Sequence, residues 1–199
     1  MNQDVKGISH VAFATRDVEK TIEFWRDLVG LRMVLSMGKE GYQMYFFSIS
    51  PRQYVGFFEW PGIEPIEEKE AGYPVKGKLA FDHFAIGVSS DEELWRIRDR
   101  MDAAGFWVSE VIDHGFIHSV YTFDPNGIAL EFCADNPDVD LSSKPCLADE
   151  TPGPFAMQGP DPQPGRWPAP TEETPDEDKR LYPGFGDFLG KKKSSPPSC

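Results

Sequence analysis

Basic residues, cysteine and long apolar runs are what this chain has little of. Lysine and arginine number 20 against 33 aspartates and glutamates, a formal charge of −13. Nothing resembles a basic stripe, so no nucleic acid is expected as a partner, and the acidic surface reads as a solubilising one. The short run Lys191-Lys192-Lys193 reads as solvated. The three cysteines, Cys133, Cys146 and Cys199, form no metal-spaced cluster, and an odd count supplies no disulfide framework. No apolar run reaches the roughly 18 residues of a membrane span, and Met1–Lys6 carries no signal-peptide core. A cytoplasmic protein making no membrane contact is therefore expected. Histidine is scarce as well: only His10, His83, His114 and His118 occur, four in all. Their placement is correspondingly informative.

Residues 1–135 read as one unit written twice. The first copy, 7–60, opens with the strand-like Ile8-Ser-His10-Val-Ala-Phe-Ala-Thr15. A helix follows from Asp17 to Gly30, with Val18, Ile22, Trp25 and Leu28–Val29 at helical spacing, Asp17 as N-cap and Gly30 past its end. Three β-rich runs come next: Leu31–Met37, Tyr42–Ile49 and Tyr54–Trp60. The second copy, 80–135, opens with Phe81-Asp-His83-Phe-Ala-Ile. Its helix spans Asp91 to Ala104 behind a Ser90 or Ser89 cap, with Glu92–Glu93 where the helix dipole favours acids. Runs Phe106–Ile112, Phe116–Phe123 and Ile128–Cys133 complete it. Each copy is βαβββ, the fold class is α+β, and the linker is the acidic stretch Pro61–Leu79. From 136 to 199 the chain changes character, since 13 of the 18 prolines fall in its last 63 residues. An extended, Pro-rich acidic arm is expected there. Its aromatics Trp167, Tyr182, Phe185 and Phe188 suggest that part of it docks on the body or a partner subunit.

His10 precedes Glu59 by 49 residues and His83 precedes Glu131 by 48. A carboxylate set in an apolar run such as Val55–Trp60 or Ile128–Phe132 costs on the order of several kcal/mol if unpaired, so each needs a cation or a donor. Strand parity puts His10 on a face with Ala12 and Ala14, His83 with Ala85 and Gly87, and Glu131 with Ala129 and Cys133. Two imidazoles and a carboxylate are the ligand set of a divalent metal with open positions. His10, His83 and Glu131 are the expected ligands. A plain solvated or core histidine is the competing reading of each.

With these residues the doubled plan over 7–135 resembles the vicinal oxygen chelate superfamily of glyoxalase I, extradiol dioxygenases and bleomycin-resistance proteins. The segment Phe24-Trp25…Leu28-Val29-Gly30-Leu31 is similar to the superfamily's usual helix end. Residues His114, Val120, Tyr121, Asp124, Pro125, Gly127 and Glu131 also match the extradiol dioxygenase motif position by position. The resemblance implies two modules pairing into an open, barrel-like metal-binding cleft. It implies a metal-dependent oxidoreductase, with Fe(II) first and Mn(II), Zn(II), Ni(II) or Co(II) as alternatives, degrading a small catechol-like aromatic with O2. Tyr121 would hydrogen-bond the bound phenolate, His114 would orient the substrate, and a homodimer is expected. Phe46, Phe57 and Phe123 are the expected ring-lining residues. Glu59 instead fits a glyoxalase- or epimerase-type lyase or isomerase, acting there as ligand and base. A metal-free binding protein is the third possibility. Asp124-Pro-Asn-Gly127 reads as a turn only, and His118 is given no role.

Overall fold

Two four-stranded sheets carry the duplicated pattern. The computed structural model describes residues 7–39, 41–76, 81–163, 165, 167–183 and 189. The first module comprises β1 (His10–Thr15), α1 (Val18–Ile22), β2 (Arg32–Lys39), β3 (Tyr42–Ser50) and β4 (Gln53–Glu59). The second comprises β5 (Phe84–Val88), α2 (Asp91–Ala103), β6 (Ile112–Asp113), β7 (Ile117–Phe123) and β8 (Ala129–Asp135). Strand orders are β1-β4-β3-β2 and β5-β8-β7-β6. In each sheet the first and last strands pair in parallel and the others antiparallel. The expected α+β fold of two βαβββ modules is present, and the sheets remain open.

Both helices start where their caps dictate. Asp17 accepts from Lys20 N at 3.1 Å, and Ser90 Oγ from Glu93 N at 3.4 Å. After Ile22 the first helix widens into a π turn, Glu23–Leu28, in which Val29 N reaches Phe24 O at 2.9 Å. More residues per turn bring successive side chains closer in angle, so Phe24 and Trp25 are both buried. The strand expected over Phe106–Ile112 is reduced to β6 and a single bridge, Val108 to Thr122. Ser109 is the cause. Its Oγ accepts from Tyr121 N at 2.9 Å, so a side chain takes the place of a ladder carbonyl.

The core gathers Phe24, Trp25, Phe47, Phe57, Leu94, Met101, Leu130 and Phe132 from both modules. Each such side chain contributes about 1.5–3 kcal/mol by burial. Polar groups at the junction are paired, as burial requires. The buried Asp124 carboxylate accepts from Asn126 N (2.8 Å), Asn126 Nδ2 (2.9 Å), Ile128 N (3.0 Å) and, across the modules, Trp25 Nε1 (3.3 Å). The linker joins the same knot through Ile66 N to Asn126 O at 3.1 Å. Gly127 sits beneath it at φ +78°, where an added Cβ would lie 2.3 Å from Ile66 O.

Residues 1–146 form one compact unit and 147–199 a second. The stretch after β8 stays with the first unit, Asn136 N bonding Phe116 O at 2.9 Å. Within the second, the described residues are exposed, Trp167 and Tyr182 included, and short 3-10 turns occur at Ala156–Gln158 and Asp176–Asp178. Phe185 and Phe188 lie outside the described residues. Among the described residues no helix is long and apolar enough to cross a membrane.

Candidate functional site

The register of the second sheet assembles a line of polar side chains on one face. Ala85 of β5 and Tyr121 of β7 both pair with Glu131 of β8, and His83 stands two residues before Ala85. Glu131 is buried, with its Oε2 2.8 Å from His83 Nε2. The Tyr121 hydroxyl donates to Glu131 Oε1 at 3.2 Å and lies 3.0 Å from Nε2 of the exposed His114. The rings of His83 and Tyr121 meet edge to face at 6.0 Å. Burial, and then the Glu131 charge, pushes the Tyr121 phenol up to about 12, so it remains a donor. Ala129 and Cys133, the small neighbours of Glu131, share this face.

On its other side His83 leans on Asp82, whose Oδ1 lies 2.7 Å from His83 Nδ1. Asp82 also accepts from Lys69 Nζ and, at 2.8 Å, from Gly72 N. Lys69, followed by His83 and the Gly72 amide, holds the Asp82 carboxyl well below the usual carboxylate range. Ionised, Asp82 can only accept, so the hydrogen of the imidazole sits on Nδ1. Nε2 faces the Glu131 carboxylate at 2.8 Å, a contact satisfied by a hydrogen on Nε2 or by a cation between the two. A carboxylate-oriented imidazole beside a second carboxylate is a donor pair suited to a divalent ion.

The third expected ligand is not part of this group. His10 is exposed, with Nδ1 3.3 Å from Ser9 Oγ and its ring 5.3 Å from that of Phe46. Among the described residues, no three His, Cys, Asp or Glu side chains stand close enough to hold one ion. The structure thus unites His83 and Glu131, while the expected trio does not close.

Glu59 is placed elsewhere. It pairs with Thr15, whereas His10 pairs with Tyr54, so Glu59 lies five residues beyond the partner of His10 and on the opposite face. There its Oε1 accepts from Val18 N at 3.1 Å, capping α1. The position equivalent to Glu131, two residues beyond the histidine's partner, is Gly56, paired with Ala12. Phe46 covers it: a Cβ on Gly56 would lie 2.4 Å from the Phe46 ring. Among the described residues, the first module therefore places no carboxylate at the position equivalent to Glu131. Phe57, expected to line a ring site, is fully buried on the helix side, 5.5 Å from the Trp25 ring. Phe123 shares the Tyr121 face and packs on Trp107 at 5.5 Å.

His118 faces α2 rather than Tyr121, with Nδ1 2.9 Å from Asp91 Oδ1; that hydrogen bond raises its pKa. Asp82 and Lys69 were not anticipated from the sequence. An acid directly before a strand-initiating histidine was the available signal for Asp82. Lys69 had none, lying among acids in a linker.

The profile of the Glyoxalase/Bleomycin resistance protein/Dioxygenase superfamily matches residues 7–132. No curated protein matches the chain. Among solved structures, a glyoxylase/bleomycin resistance protein/dioxygenase domain from Frankia sp. EAN1pec is similar, with a TM-score of 0.56 at 18% identity over 66% of this chain and 99% of that one. Lactoylglutathione lyase from Agrobacterium tumefaciens is similar at TM-score 0.50 and 25% identity, over 66% of this chain and 96% of its own. The fosfomycin resistance protein FosX from Listeria monocytogenes gives 0.50 at 19%, over 67% and 97%. The doubled βαβββ plan and the profile match spanning most of both modules lead to one conclusion: the chain belongs to the glyoxalase/bleomycin resistance protein/dioxygenase superfamily.

Proposed function

We propose that the protein is a metal-dependent dioxygenase of the extradiol type, cleaving a C–C bond of a small catechol-like aromatic with O2. The observation that carries this reading is the Tyr121 hydroxyl, held between Glu131 and His114 on the face that presents His83. Fe(II) is the proposed ion; His83 Nε2 and Glu131 would hold it, with His10 outside that pair, and it would supply the centre at which substrate oxygens and dioxygen meet. Tyr121, kept protonated, donates a hydrogen bond to a substrate oxygen and fixes the ring's orientation. His114, exposed and bonded through Nε2 to the same phenol, would hold the Tyr121 hydroxyl in place beside the substrate. Ala85, Gly87 and Ala129 leave space on this face for a flat ligand.

The lyase or isomerase alternative needs a carboxylate beside His10. Gly56 at that position, and Glu59 turned to the helix, favour the dioxygenase. Reconstitution with Fe(II) under anaerobic conditions, then catechol and oxygen, is expected to yield a yellow ring-fission product. Oxygen-insensitive turnover of a hemithioacetal by the metal-loaded protein would replace this reading with the lyase one.

A further inference from the structure

The segment between the modules ends on the site. After Trp60 the linker turns, Ile63 N bonding Trp60 O at 3.0 Å, crosses to Asn126 through Ile66, and returns to Asp82. Asp82 receives three donors: Lys69 Nζ and Gly72 N from the linker, and His83 Nδ1 from the sheet. Lys69 is the better buried of the ion pair, its side chain 17% exposed against 42% for Asp82. It is thus held in place and not swinging in solvent. A carboxylate bound only to His83 could rotate about its own side chain, and the imidazole with it. The two linker donors remove that freedom. Lys69 engages one carboxylate oxygen, leaving the other to His83 and the Gly72 amide.

We infer that Lys69 is a positioning residue: acting through Asp82, it sets the orientation of the His83 imidazole and so ties the fold of the linker to the geometry of the site. The inference rests on the reading of His83 as a functional residue. Carboxylates that orient a ligating histidine affect metal affinity by about 10–100-fold when removed. Here the orienting carboxylate itself depends on a cation delivered from a segment that belongs to neither module. By reciprocity, an ion bound at His83 favours the docked linker.

Two readouts on the full-length chain test this. In metal-free protein labelled with 15N-histidine, with His83→Gln identifying the signals, the wild type should show one sharp His83 set carrying its hydrogen on Nδ1. Lys69→Met should shift or broaden that set without moving the His118 signals, and Lys69→Arg should restore it. His83 signals unchanged in Lys69→Met overturn the inference. Titration with Co(II) alone supplies the second readout: affinity should fall about 10-fold in Lys69→Met and recover in Lys69→Arg. Equal affinity in Lys69→Met and wild type also overturns it. A wild type that binds no Co(II) removes the metal reading, and the ring signals then decide the coupling alone.

Discussion

Replacing Glu59 separates a structural carboxylate from a chemical one. Glu59 Oε1 accepts the amide of Val18, one of the four N-terminal donors that a helix cannot satisfy internally. Losing an N-terminal cap costs about 0.5–2 kcal/mol, and an acid at that end adds about 0.3–1 kcal/mol through the helix dipole. Glu59 is partly exposed and Asp17 still caps Lys20, which places Glu59→Ala near the low end. A loss of about 1 kcal/mol corresponds to a melting temperature roughly 3 °C lower for a domain of this size. Glu59→Gln keeps an acceptor oxygen and should lose about half as much. Melting curves run beside Co(II) titrations check both quantities. Co(II) affinity within twofold of wild type is expected for each variant. An unchanged melt with lost Co(II) binding would refute the register argument and return Glu59 to the metal.

Tyr121→Phe removes the phenol but leaves His83 and Glu131, so metal content should persist while turnover of catechol falls about 100-fold; metal loss would assign Tyr121 a structural part. Asp124 is buried, which raises its carboxyl above the ordinary value of 3.8 despite its Asn126, Ile128 and Trp25 bonds. Between 3.8 and the raised value the unfolded chain has released a proton that the folded chain keeps, so stability falls as pH rises through that window. Asp124→Asn should flatten this slope in urea titrations at successive pH values, and an identical slope would contradict the assignment. Gly127→Ala meets both a left-handed φ and the Ile66 carbonyl. A destabilisation of about 2 kcal/mol and faster cleavage of the linker by a glutamyl endopeptidase are expected; wild-type cleavage rates would show that Ile66 does not pin the segment.

Periodicity was enough to read the βαβββ plan, because apolar spacing and cap residues act locally. Asp17 and Ser90 cap where they stand in the sequence. Strand parity also placed Glu131, Ala129 and Cys133 on one face. Register was not legible. The nearly equal separations of 49 and 48 residues suggested equivalent carboxylates. Yet the pairings of His10 with Tyr54 and of Phe84 with Leu130 leave Glu59 five residues beyond the partner of His10, while Glu131 is two beyond the position opposite His83. Similar loop lengths therefore hid an odd displacement, which in a strand means the other face. The π turn was equally hidden, since Trp25 and Val29 suit either helical register. Lys69 reaches Asp82 only once the linker has folded back, and no local pattern encodes that.

The proposed oxygen-using site requires Glu131 and His83 to hold its metal together. Anaerobic Fe(II) titration of the wild type and of Glu131→Ala, with bound iron counted after desalting, tests it most directly. One iron per chain in the wild type and none in the folded variant is predicted. Iron retained by Glu131→Ala, or absent from the wild type, would contradict it.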